Sequence, residues 1–128
     1  MKKLLILAVF LPLLAGCKPS EEKAIELAKK EIALNLKDPD SAKFRFLRVA
    51  KKAERNDGAV LVMVCGQVNA KNTFGAYAGN QRFLIMLGMK SKSMFNNGVS
   101  YTVEKKLIAT PDDNEDLIEY LDACGKEG

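Results

Sequence analysis

Side chains that commonly carry chemistry are sparse in this chain of 128 residues, which contains three cysteines and no histidine. Without histidine, neither a Ser-His-Asp nor a Cys-His arrangement can activate a nucleophile. No glycine-rich phosphate loop follows a predicted strand and opens a helix. The acidic cluster from Asp112 to Asp116 lacks the alternating ligands of a calcium loop, and the start of a helix explains it. We therefore expect a protein that is not an enzyme and that has no metal or cofactor.

A short apolar stretch near the N-terminus ends in a cysteine. Two lysines at positions 2 and 3 precede an apolar run from Leu4 to Leu14, which is followed by Ala15-Gly16-Cys17. This order resembles the signal peptide and lipobox of bacterial lipoproteins. In that family the cysteine is linked to diacylglycerol, the chain is cut before it, and the new amine is acylated. The resemblance implies a mature chain that starts at Cys17 and is held at a membrane by acyl chains.

Two other interpretations of this stretch fit less well. A transmembrane helix needs about 20 apolar residues, whereas this run has eleven and contains Pro12. A plain secretory signal would leave the cysteine unexplained. The predicted organisation is a cleaved signal peptide (1–16), a lipidated N-terminus and tether (17–19), and a single domain (20–128). In enterobacterial lipoproteins, an aspartate directly after the lipidated cysteine retains the protein at the inner membrane. Lys18 stands at that position here, which implies the outer membrane of the cell envelope, facing the periplasm.

Cys65 and Cys124 remain once lipid occupies Cys17. An exported domain lies in an oxidising compartment, where an even pair of cysteines predicts a disulfide. Two buried free thiols are the alternative. Two thiols without histidine cannot supply the four ligands of an ordinary zinc site.

A helix is predicted at the start of the mature domain. Ser20 is a candidate N-cap, and Pro39 stops the helix because the residue before a proline avoids helical geometry. Ile25, Ala28, Ile32 and Leu36 recur at helical spacing and should face the core. The segment from Asp38 to Ser41 is interpreted as the helix stop and a turn.

Four strands should follow, over residues 44–52, 59–68, 82–89 and 99–108. Asp57-Gly58 predicts a tight turn, Asn69 to Asn80 a loop, and Ser91 to Gly98 a second turn built on Asn97-Gly98. The apolar run of the second strand marks it as central in the sheet, with Cys65 inside it.

A second helix is predicted after the last strand, with Thr110 as its cap, Pro111 in its first turn and Gly125 at its end. Its buried face should contain Leu117, Ile118, Leu121 and Cys124. That register aims Cys124 at the strand that contains Cys65. The predicted fold class is α+β: a four-stranded antiparallel meander packed with an N-terminal and a C-terminal helix.

One stretch of the body has a recurring pattern. Residues 65–83 read roughly as CGxVNxKNxxGxYxGxxxF, and residues 38–44 read as D-P-x-S-A-x-F. Both resemble a pattern in small uncharacterised proteins and lipoproteins of proteobacteria and their prophages. The resemblance covers residues 38–83 and brings no activity that could be transferred to this chain.

This stretch also contains the candidate binding residues, which are Asn69, Lys71, Asn72, Phe74, Tyr77 and Arg82. Two interpretations are open. The loop can present its aromatic rings as a recognition surface on a rigid scaffold. Alternatively, asparagine and glycine only build turns, and the rings fold back over one end of the core.

Charge is unevenly distributed along the mature chain. Residues 18–106 contain 17 basic and 9 acidic side chains, whereas residues 107–128 contain one basic and seven acidic ones. The two surfaces are either simply solvated, or the basic one faces anionic headgroups. Nothing in the sequence predicts nucleic-acid binding.

The sequence favours a non-catalytic binding module whose partners are the lipid bilayer, through Cys17, and another envelope protein, for example in superinfection exclusion by a prophage. A lysozyme inhibitor is one alternative, although Gly75-Ala76-Tyr77 matches only part of the Ser-Gly-x-x-Tyr-like loop of one such family. A structural envelope component is another. An enzyme would need a cleft in which a carboxylate such as Glu104, near the acidic helix, has a perturbed pKa.

Overall fold

The computed structural model describes residues 19–93 and 96–127, so the lipobox and Cys17 lie outside the described residues. The elements along the chain are α1 (Glu21–Ala33), a short 3-10 helix (Pro39–Ser41), β1 (Lys43–Glu54), β2 (Val60–Asn69), β3 (Gln81–Ser93), β4 (Asn96–Ala109) and α2 (Asn114–Cys124). The strands form one antiparallel sheet in the order β1-β2-β3-β4. The predicted α+β meander with a helix at each end is confirmed. Neither helix in the described part of the chain has the length and apolarity needed to cross a bilayer.

The start of α1 follows the capping prediction. The Ser20 hydroxyl accepts a hydrogen bond from the Lys23 amide at 3.1 Å, which satisfies one free N–H of the first turn. The helix ends at Ala33, earlier than predicted, because the amides of Asn35 and Leu36 bond to carbonyls only three residues back. Its buried face consists of Ala24, Leu27, Ala28 and Ile32. The predicted stripe missed the first two of these, which widen the contact with the sheet.

The sheet has a separate core on each of its faces. On one face, α1 packs against a cluster that includes Val62, Val64, Phe83 and Ile85. On the other face, α2 packs against a cluster that includes Met63, Cys65, Leu84 and Leu107. Residues 62–68 of β2 are therefore buried on both faces, which explains why this strand is almost continuously apolar.

The two predicted turns had different outcomes. The turn at Asp57-Gly58 is present, with Gly58 at φ 83°, a conformation that favours glycine. The prediction that Asn97-Gly98 forms the second turn is wrong. Both residues lie in β4, and Ser93 of β3 pairs with Asn96 of β4. Backbone pairing does not require apolar side chains, so the ladder continues through polar residues that the sequence pattern assigns to a turn.

The predicted cap of α2 is also wrong. Asp113, not Thr110, is the N-cap, and its carboxylate accepts a hydrogen bond from the Asp116 amide at 3.1 Å. The Thr110 carbonyl instead accepts from the Asp113 amide at 3.1 Å. This closes a turn that brings the chain from the end of β4 onto the face of the sheet. Gly125, at φ 73°, ends the helix as predicted.

The buried face of α2 differs from the prediction at two positions. Tyr120 is completely buried, whereas Ile118 is 59% exposed. The inward positions are Leu117, Tyr120, Leu121 and Cys124 at helical spacing, which leaves Ile118 to one side. The sequence pattern favoured the aliphatic side chain over the aromatic one, and that choice was incorrect.

Candidate binding loop

Two segments that are far apart in the sequence meet at Ser41. The Ser41 hydroxyl accepts a hydrogen bond from the Lys71 amide at 2.8 Å and donates one to the Asp38 carbonyl at 2.8 Å. The Ser41 carbonyl accepts from the Tyr77 hydroxyl at 3.2 Å. The 3-10 helix thus braces the β2–β3 loop (residues 70–80) and does more than end α1. This role of Ser41 was missed, because sequence spacing cannot show which loop a turn will contact.

The β2–β3 loop is closed by its own asparagines. The Asn72 side-chain oxygen accepts hydrogen bonds from the amides of Phe74, at 3.0 Å, and Ala76, at 3.1 Å. The Asn69 side-chain oxygen accepts from the Gly79 amide at 3.0 Å. Both asparagines are candidate binding residues, and their side-chain oxygens close the loop, which fits the second interpretation of the loop. Whether they also contact a partner stays a prediction.

Phe74 and Tyr77 behave differently from one another. Phe74, at the end of the loop, is 93% exposed. Tyr77 is 40% exposed and holds the loop against Ser41. The first interpretation of the loop therefore describes Phe74, and the second is closer for Tyr77. Gly75, at φ 79°, provides the bend that keeps the Phe74 ring outside.

Two lysines lie beside the Tyr77 ring. The Lys43 ammonium is 4.6 Å from the ring centroid and that of Lys71 is 5.8 Å away, both within range of a cation–π interaction. The salt bridges of residues 19–93 and 96–127 involve neither lysine. The half-exposed Tyr77 ring therefore lies beside two cations that have no carboxylate partner in the described residues.

Arg82 belongs to a different surface. Its guanidinium forms a 3.1 Å salt bridge with Glu127, whose side chain is 6% exposed. The Tyr120 hydroxyl donates to the same carboxylate. Burial alone would raise the pKa of Glu127, but hydrogen bonds from Tyr120, Arg82 and Gln67 outweigh it and lower that pKa. Arg82 thus has a structural contact with Glu127, and its role in binding stays a prediction.

The predicted disulfide between Cys65 and Cys124 is confirmed, with their Cα atoms 6.0 Å apart. It joins the central strand to the last turn of α2. Arg48 strengthens the same junction, since its guanidinium donates a 2.8 Å hydrogen bond to the Cys124 carbonyl. A cation at the C-terminal end of a helix also opposes the negative end of the helix dipole.

Gly66, which follows Cys65, lies where the packing leaves no room for a side chain. A Cβ atom on Gly66 would lie 3.0 Å from the Leu47 side chain and 3.1 Å from the Phe83 ring. Gln67, which follows, is buried and accepts a 2.7 Å hydrogen bond from Arg45. Packing around the sheet thus explains the start of the recurring pattern without any ligand.

Glu104, the acid considered for an enzymatic function, is held by neighbouring side chains. It accepts a hydrogen bond from Thr102 at 2.7 Å and one from Arg55 at 2.7 Å. These two bonds lower its pKa, which disfavours a role as a general acid near neutral pH. Among the described residues, no group of three or more acids, cysteines and histidines is placed to hold a metal ion.

Comparisons of the chain with protein-family models, with curated proteins and with solved structures found no match. The geometry of the β2–β3 loop and the N-terminal sequence are consequently the features that bear on function.

Proposed function

We propose that this chain is a lipoprotein of the bacterial envelope, anchored through Cys17, that acts as a non-catalytic binding module. Its partner would be another envelope protein, contacted by the β2–β3 loop. The lipobox resemblance supports the anchor. The exposed ring of Phe74 on a braced loop supports the binding role, and this is the observation that carries the proposal.

The physical reason lies in how the ring is held. Burial of an exposed aromatic ring against a partner is favourable by roughly 25 cal/mol per Å² of apolar surface. Ordering a flexible loop would offset much of that gain. Here the bonds made by Asn72, Tyr77 and Ser41 already fix the loop. The β2–β3 loop is therefore already ordered in the unbound protein, and binding loses little further conformational entropy.

Inhibition of lysozyme is a weaker alternative. The tyrosine that this alternative would present, Tyr77, donates its hydroxyl hydrogen bond to Ser41. A lysozyme activity assay with the purified protein tests this directly. A purely structural role in the envelope would instead give high copy number without a contact that depends on the loop. Exclusion of superinfecting phage is one specific form of the favoured proposal.

In-cell photo-crosslinking tests the proposal. The photoreactive residue p-azidophenylalanine replaces Phe74 in one strain, Leu34 in a second and Ile118 in a third. Leu34 and Ile118 are 66% and 59% exposed and serve as matched apolar controls, one directly after α1 and one on α2. We expect a discrete protein adduct from position 74 alone. Adducts from a control position but not from 74 would exclude the loop, and no adduct from any position would favour the structural role.

A further inference from the structure

The N-terminal end of the described chain lies at one end of the sheet. Pro19 lines a surface cavity together with Asp57 and Gly58 of the β1–β2 turn. Two residues further on, Glu21 forms a 2.7 Å salt bridge with Lys52 near the end of β1. We call this end of the domain, formed by Pro19 and the β1–β2 turn, the anchor pole.

The β2–β3 loop lies at the opposite end. Lys43, the first residue of β1, pairs with Asn69, after which the loop begins, whereas Glu54 at the other end of β1 pairs with Val60. β2 runs between the same two ends, and its ten residues from Val60 to Asn69 extend about 30 Å at roughly 3.3 Å per residue. The end that contains Phe74, which we call the loop pole, is therefore separated from the anchor pole by the full length of the sheet.

We infer that the lipid-anchored protein points its loop pole away from the anchoring bilayer, so that Phe74 contacts a protein about 30 Å from the anchor pole. This inference rests on the proposed lipid anchor at Cys17. Only Lys18 and Pro19 separate Cys17 from the cap of α1. Three steps along the chain from Cys17 to Ser20 span at most about 11 Å, which keeps the anchor pole beside the headgroups.

The charge of the loop favours a protein partner over a lipid surface. Lys71 is the only charged residue between positions 70 and 81, and Lys43 is the second cation at the Tyr77 ring. Sites that bind anionic lipids typically contain clusters of about 4–8 basic residues. The two cations beside Tyr77 fall short of such a cluster. The single exposed ring of Phe74 instead fits an apolar pocket on a protein, with the ring at the centre of the contact.

The test measures the distance of three positions from a membrane. The full chain is produced in bacteria, purified in detergent and reconstituted into phosphatidylcholine vesicles whose headgroups carry a nitroxide quencher. A dye is attached through p-azidophenylalanine at position 56, 106 or 74. Position 56 lies in the β1–β2 turn, and Lys106, which pairs with Ile85, lies about halfway along the sheet.

We expect a large loss of fluorescence at position 56, a smaller loss at 106 and little or none at 74. A loss at 74 that equals or exceeds the loss at 56 would overturn the inference and make the bilayer the surface that Phe74 contacts. A chain that does not float with the vesicles would contradict the lipid anchor and the inference together. The expected gradient without a crosslink from position 74 in cells would contradict the proposed binding function and leave the orientation standing.

Discussion

The Tyr77 hydroxyl donates a hydrogen bond to the Ser41 carbonyl across 36 positions of sequence, at 3.2 Å. Ser41 also receives the Lys71 amide, so a single residue of the 3-10 helix holds two points of the β2–β3 loop. The two aromatic residues of this loop consequently have separate roles. Tyr77 fixes the loop in place, and Phe74 is left at its surface.

Replacement of Phe74 should affect binding and leave stability unchanged. In the Phe74→Ala variant, the free energy of unfolding should change by no more than about 0.5 kcal/mol, because the ring is 93% exposed. Crosslinking from p-azidophenylalanine at position 73 should fall at least about tenfold if the ring is a central contact. Leu34→Ala, in the same position-73 strain, is the control and should keep the parental yield. An unchanged yield in Phe74→Ala would contradict the role of the ring.

Replacement of Tyr77 should loosen the loop. Tyr77→Phe removes the bond to Ser41 and should lower the free energy of unfolding by about 0.5–1 kcal/mol. Limited proteolysis should then cut the β2–β3 loop faster than in the parent. Tyr101→Phe is the matched control, since it removes the bond between Tyr101 and Glu31 on α1. If both variants were cut in the loop at the same rate, the brace at Ser41 would not control the loop.

Two glycines of the sheet should differ in their tolerance of a methyl group. Gly66→Ala should destabilise the protein by about 1–3 kcal/mol, since the new Cβ would press on buried Phe83 and on Leu47. Gly88→Ala also brings close contacts, but these are with the side-chain oxygens of exposed Glu104 and Thr102, which can move into solvent at the cost of their exposed mutual hydrogen bond. Urea unfolding of both variants measures the difference. A larger loss for Gly88→Ala would contradict this account.

Acid should weaken the contact made by Glu127. Its pKa is lowered in the folded state from an ordinary value of 4.5, so the ionised carboxylate stabilises the fold above that pH. This contribution is lost as the pH falls through the folded-state pKa. The free energy of unfolding of Glu127→Gln should therefore vary less between about pH 5 and pH 3 than that of the parent. Equal slopes would show that the contact with Arg82 and Tyr120 has little effect on stability. Asp57 and Glu104, whose pKa values are also lowered, contribute a dependence of the same sign in both proteins.

Loss of the disulfide should have the largest effect. Replacing both Cys65 and Cys124 by alanine should cost about 2–4 kcal/mol, as is typical when a long loop is opened. Reduction of the parent should have a similar effect. The double variant should be insensitive to the same reductant, and a further decrease in its stability on reduction would indicate that another group is responsible.

The sequence predicted those features that depend on local patterns or on chain-wide arithmetic. Helix periodicity, the Asp57-Gly58 turn and the apolar run of β2 were sufficient to predict the meander, and two remaining cysteines predicted the disulfide. Asn97-Gly98 was misassigned because hydrogen bonds between strands override the preference of that dipeptide for a turn. Ile118 was misassigned because the exact rotation of α2 depends on the fit of Tyr120 between the helix and the sheet.

Composition was sufficient to find the candidate loop. It did not show which of the side chains bond to the loop backbone and which face solvent. Asn69 and Asn72 were grouped with Phe74 as contact residues, although their side chains bond to the loop backbone. The contact with Ser41 joins residues that are 30 or more positions apart. A periodic sequence pattern cannot predict such a contact, because the contact forms only when the folded sheet brings both segments to the loop pole.

The brace around Ser41, Asn72 and Tyr77 has a consequence for how related proteins can diverge. These side chains shape the loop from behind, and the Phe74 ring, which is 93% exposed, contributes little to that shape. If the loop binds a partner as proposed, one substitution at position 74 would change that partner while folding is preserved. A lineage that competes with a changing target, such as a phage or its host, could in this way explore new specificities through single mutations at the outermost residue.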